Sequence, residues 1–167
     1  MEAYWEIKAK KIDSTAFFRA LLKYFPEATT FYAEGTVIEK DVVECYLSHA
    51  QEGQYLPPEG TTWPESEKFR CRFSLDLMNA LAQLSEHHAE PELLTHLFLY
   101  RDHDPLLEWY DAFADPILVS PSVPEEAVSG LASELGVKYG KEKSGKQKWG
   151  YLFFWISESL KGFIRRR

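Results

Sequence analysis

The chain has 167 residues, is 45% hydrophobic and 27% charged, and carries a formal net charge of −7. A chain of this length buries a core of its own, so neither a disulfide nor a metal is required to hold it. The longest unbroken apolar run, residues 151–156, is far short of a membrane-spanning helix, and the acidic balance disfavours nucleic acid, whose phosphates require Lys and Arg.

Residues 4–11 predict a strand with Trp5, Ile7 and Ala9 on one face. Asp13 or Ser14 then caps a helix that carries Phe17, Phe18, Leu21, Leu22 and Phe25 and stops at Pro26. Residues 29–34 read as a strand closed by Gly35. Asp41 is the expected cap of a second helix, striped by Val42, Val43, Tyr46, Leu47 and Ala50. Residues 51–67, with Pro57, Pro58 and Pro64, read as a long loop. In the strand predicted over 68–73, Phe69, Cys71 and Phe73 alternate with Lys68, Arg70 and Arg72.

Ser74 caps a third helix with Leu77, Met78, Leu81, Leu84 and His88, and Pro91 either ends it or begins a short second piece. Residues 95–101 are apolar on both faces and predict a central strand. A turn at 102–105 leads into LLEWYDAF, and 116–120 predict another strand. Ser122 and Glu125 have capping-box spacing, with Pro124 in the first turn, Val128, Leu131, Ala132 and Leu135 on one face, and Gly136 as the stop. These elements define an α+β (α/β-like) domain over residues 1–137, with helices packed on a mixed sheet. The early alternation of strand and helix favours some parallel pairs.

Charge divides the chain. Met1 to Val137 carries 10 Lys and Arg against 24 Asp and Glu, a net of −14; Lys138 to Arg167 carries 9 against 2, a net of +7. The basic extension, residues 138–167, admits two structures. In one, VKYGKEK and KQKWGYLFF form a hairpin. In the other, favoured here, a helix from about Tyr151 places Leu152, Phe153, Ile156, Leu160, Phe163 and Ile164 on one stripe, with Arg165 to Arg167 at its C-terminus. The segment can complete the domain's own core, dock another chain or a second copy, or rest on an anionic membrane. Its candidate partner-binding residues are Trp149, Phe153, Trp155, Phe163, Arg165 and Arg166.

No catalytic motif is legible. His87, His88, His96 and His103 lack metal-ligand spacing, so neither a metal nor another cofactor is expected. Asp102, Asp104, Glu108, Asp111 and Asp115 read as turn chemistry or an acidic contact surface. Cys45 and His49 share a helix face but lack an orienting acid. Cys45 and Cys71 form no CxxC pair and read as reduced thiols of a cytoplasmic protein; the opening MEAYWEIKAKK also lacks a secretory-signal pattern.

In size, acidity and α/β pattern the chain resembles bacterial immunity and accessory proteins, a compositional likeness that shares no motif. The leading expectation is a non-catalytic protein-binding module whose partner has a basic surface or is a second copy. A second is a small-ligand binder or enzyme using Trp63, Arg70, Arg72, His103 and Asp111. A third is a peripheral membrane protein held through residues 149–167.

Overall fold

Apolar residues at alternate strand positions decide which side of the sheet meets the helices. The computed structural model describes residues 3–9, 11–53 and 66–143. In chain order the elements are β1 Ala3–Ile7, α1 Ser14–Tyr24, β2 Thr30–Gly35, α2 Lys40–Ser48, β3 Glu67–Arg72, α3 Leu75–Leu84, α4 Glu90–Leu93, β4 His96–Arg101, β5 Asp104–Trp109, β6 Ile117–Val119, α5 Glu125–Glu134 and β7 Tyr139–Lys143. The strands form one seven-stranded sheet in the order β3-β2-β4-β5-β6-β1-β7. The fold class is α+β.

Every described strand pair is antiparallel, which corrects the expectation of parallel pairs. Two features explain it. The α1 connection carries the chain from β1 to a strand that is not its neighbour. After α2, residues 49–51 run antiparallel beside β3, joined by an Ala50–Cys71 bridge, Gln51 N–H to the Arg70 carbonyl (2.9 Å) and Arg72 N–H to the His49 carbonyl (3.1 Å). That extra pass reverses the chain once more, so β3 enters opposite to β2.

Local signals act largely as the sequence predicts. The Asp13 carboxylate accepts from Ala16 N–H at 2.7 Å, and α1 ends at Phe25, just before Pro26. Ser74 Oγ accepts from Leu77 N–H at 3.3 Å. Pro91 lies within the short helix α4. Gly136 follows α5 with a φ of +66°, the left-handed stop that glycine adopts without strain. Two caps differ. Glu39, not Asp41, stands at the N-cap of α2; Asp41 falls in the first turn. The capping box of α5 does not form, because Pro124 takes the N-cap position. Ser122 is thereby left outside the helix, where it bonds Ser120 Oγ.

The main core lies between the sheet and helices α1, α2, α3 and α5. Phe31 and Ala33, Leu97 and Leu99, Leu107 and Trp109, Ile117 and Val119, and Trp5 and Ile7 supply its strand side. Trp109 sits at its centre, 4.7 Å from Phe17 and 4.5 Å from Phe113 between ring centroids. Close helix contact needs Gly130, where a Cβ would lie 2.3 Å from Tyr24 Cε1 across the α1–α5 seam.

Strand β7 pairs with β1 along all five of its residues. It realises the first half of the hairpin reading of the extension, with β1 as its partner. The hairpin's second half and the helix expected from Tyr151 lie outside the described residues.

The opposite sheet face has a different character. A cross-strand row runs Arg70–Tyr32–Phe98–Glu108–Leu118–Glu6, from β3 to β1. Tyr32, Phe98 and Tyr100 form a second buried cluster, joined by Tyr110.

Candidate functional site

Helix α2 places Asp41, Glu44, Cys45 and Ser48 at offsets 0, 3, 4 and 7, hence on one face. That face looks across to Ala80, Gln83 and Leu84 of α3 and to Glu86, His87 and His88 just after it; the resulting groove has a volume of about 630 Å³. Carboxylates of Asp41, Glu44 and Glu86 line it together with the less polar Cys45, Ala80 and Leu84. The same helix presents Leu47 to solvent.

Cys45, His49 and His88, groups of the groove that resemble catalytic chemistry, are engaged in holding the fold. His88 Nε2 lies 2.8 Å from Asp41 Oδ2, and its Nδ1 lies 3.5 Å from Glu92 Oε2. The hydrogen bond to Asp41 raises the His88 pKa and, reciprocally, lowers that of Asp41. Burial, reinforced by the Asp41 charge, pushes the Cys45 thiol up. His49 Nδ1 bonds the Cys45 carbonyl oxygen at 2.9 Å rather than the thiol. Cys45 is thus a protonated packing thiol, unlike an activated nucleophile.

The His88 bridge gives a pH-dependent tie between α2 and the α3–α4 connection. Because the folded pKa of His88 is raised, its contribution is complete below the unfolded value and is lost as pH rises through the folded value. His88→Gln should therefore lower the melting temperature clearly at pH 5.5 and only slightly at pH 9. An equal loss at both pH values would exclude the charged pair as its cause.

Of the described residues predicted for a small-ligand site, His103 and Asp111 lie at opposite ends of β5. Trp63 lies outside the described residues. Arg70 and Arg72 share one face of β3, with Arg72 exposed. Arg70 Nη1 and Nη2 lie 3.5 Å from the Glu52 carbonyl and Thr30 Oγ1 respectively. His103 is exposed in the β4–β5 turn, whereas Asp111 follows β5 at its far end; a six-residue strand separates them by about 20 Å. The backbone N–H of Asp111 donates to buried His96 Nδ1 at 2.9 Å. The partner-binding candidates Trp149, Phe153, Trp155, Phe163, Arg165 and Arg166 also lie outside the described residues.

Of the acidic run, Asp102 adopts a positive φ of 55° in the hairpin turn, and the Asp115 carbonyl accepts from Trp109 Nε1 at 2.8 Å. Among the described residues, no group of three or more His, Cys, Asp or Glu side chains is placed to hold a metal ion, and no helix is long and apolar enough to cross a membrane.

Sequence reasoning missed Glu34 and read Glu108 as part of an acidic run of turns, whereas Glu108 lies within β5 on the second sheet face. Tyr32 Oη donates to Glu34 Oε1 at 3.0 Å, and Glu34 is completely buried. Tyr110 Oη lies 3.4 Å from Glu108 Oε2. Burial pushes the Glu108 carboxyl up to about 7 against a small opposing effect of that hydrogen bond. The available signal was Glu34 and Glu108 standing in otherwise apolar strands. The groove was also missed, because it joins residues 47 positions apart.

No protein-family model matches the chain, and neither a curated protein nor a solved structure is significantly similar to it.

Proposed function

We propose that the protein is a non-catalytic binding module that receives a basic segment of a partner protein in the α2–α3 groove. The observation that carries this reading is the groove itself, about 630 Å³ in volume and lined by the acidic Asp41, Glu44 and Glu86 together with the less polar Cys45, Ala80 and Leu84. Carboxylates beside less polar walls attract cations, and a basic segment would compete with Lys40 for Glu44 and with Arg19 for Glu86. His49, His88 and the Cys45 thiol within it support binding rather than turnover, being engaged as described above. Both cysteines are free, which fits a reducing compartment, and we place the protein in the cytoplasm on that ground.

A Lys/Arg-rich amphipathic peptide is a direct probe. Titrated into isotope-labelled protein, it should shift backbone amides in 41–48 and 80–88. Glu44→Lys combined with Glu86→Lys should weaken its affinity about tenfold, as should high salt. Shifts scattered over the surface, or an unchanged affinity in the double variant, would remove the reading.

A further inference from the structure

The two ends of the sheet differ. At one, residues 49–51 run beside β3. At the other, β7 pairs with β1 and, among the described residues, with nothing beyond it. An edge of this kind is a template for another strand. We propose that β7 pairs antiparallel with β7 of a second copy about a two-fold axis at Gly140, joining the two sheets into one.

Backbone direction defines the edge. Lys8 N–H donates to the Lys138 carbonyl at 2.9 Å, and the same register continues as Ile7–Tyr139, Glu6–Gly140, Trp5–Lys141 and Tyr4–Glu142. Opposed residues of antiparallel strands exchange hydrogen bonds in alternate pairs. Lys138, Gly140 and Glu142 therefore turn their backbone groups toward β1, and Tyr139, Lys141 and Lys143 turn theirs outward.

Charge selects the register. A two-fold axis perpendicular to the sheet preserves its faces, so odd positions meet odd and even positions meet even. Centred on Lys141, it would oppose that ammonium to its own copy; centred on Glu142, it would do the same to the carboxylate. Centred on Tyr139, it would put Lys138 against Gly140 and form no ion pair. Centred on Gly140, it sets Tyr139 against Lys141 and Lys138 against Glu142, each twice. The outward amides and carbonyls of Tyr139 and Lys141 then bond reciprocally.

The side chains fit this arrangement. On the helix side, the Tyr139 ring lies 6.2 Å from Trp5, and its hydroxyl lies 3.4 Å from Glu125 Oε1. Lys141 Nζ already sits 4.7 Å over the Trp5 ring, so its ammonium lies between that ring and the Tyr139 ring of the second copy. On the other face, Lys138 and Glu142 are exposed and opposite in charge. At the crossing point, a Cβ built on Gly140 would meet nothing within 4 Å. The seam is short, so the dimer is weak and concentration-dependent.

Sedimentation equilibrium of the full chain tests this. The wild-type protein should dimerise reversibly. Lys138→Glu and Glu142→Lys, made singly, each oppose like charges and should raise the dimer dissociation constant about tenfold. Mixed in equal amounts, the two variants should associate as the wild type does, because each then meets its opposite. The double variant Lys138→Glu/Glu142→Lys should do so alone. A wild-type protein that stays monomeric at submillimolar concentration would overturn the proposal. So would a dimer that the single variants leave unchanged, or one that neither mixing nor the double variant restores. Helix α2 packs on β3 at the other end of the sheet, so peptide binding in the groove is read independently.

Discussion

Glu108→Gln should stabilise the protein by about 3 kcal/mol at pH 8 and change its stability little at pH 4. The carboxyl of Glu108 is pushed from 4.5 up to about 7 by burial. A raised carboxyl favours the proton-bound native state, so the sign is the reverse of the usual ion-paired acid. Below pH 4.5 both folded and unfolded chains hold the proton, and nothing is lost. Between 4.5 and 7 the unfolded chain releases it first, and stability falls with rising pH. Above 7 the cost is constant, and glutamine escapes it while retaining an acceptor near Tyr110 Oη. Urea unfolding of both proteins at pH 4, 6 and 8 measures the divergence. A difference that does not grow with pH would show that Glu108 ionises as a solvated acid.

Trp109→Ala should cost about 4 kcal/mol, a large part of the stability of a typical domain. The indole is completely buried, with Phe17 and Phe113 packed against it. Truncation opens a cavity at the junction of β5 and α1 and removes the donor to the Asp115 carbonyl. Trp109→Phe separates the two effects. It keeps most of the packing but leaves that carbonyl without its indole donor, for a smaller loss of about 1–2 kcal/mol. The urea midpoints of the three proteins should fall in the order Trp, Phe, Ala. A loss below about 1 kcal/mol for Trp109→Ala would mean that the ring cluster is not the core's centre.

What the sequence reveals depends on the range over which each signal acts. Asp13, Ser74, Pro26 and Gly136 act on their own turns, and the helix limits they imply match α1, α3 and α5 closely. Alternation at 68–73 correctly separates Phe69 and Cys71 from Lys68, Arg70 and Arg72. Pairing direction is a property of distant segments, and the reversal at 49–51 carries no local mark. The Ser122–Glu125 spacing misleads because Pro124 occupies the cap. The site was less legible than the fold. Its groove depends on α2 meeting the end of α3, and the grouping of His103 with Asp111 assumed a proximity that β5 prevents.

The strip of chain at 49–51 also matters for what this protein can do in crowded solution. Terminal strands of open sheets present bare amides and carbonyls on which fibrils nucleate. Here Gln51 and His49 already use the outward Arg70 carbonyl and Arg72 amide. A stray strand arriving along β3 would have to peel that strip away first, so amyloid-type growth from this flank is obstructed by the protein's own backbone.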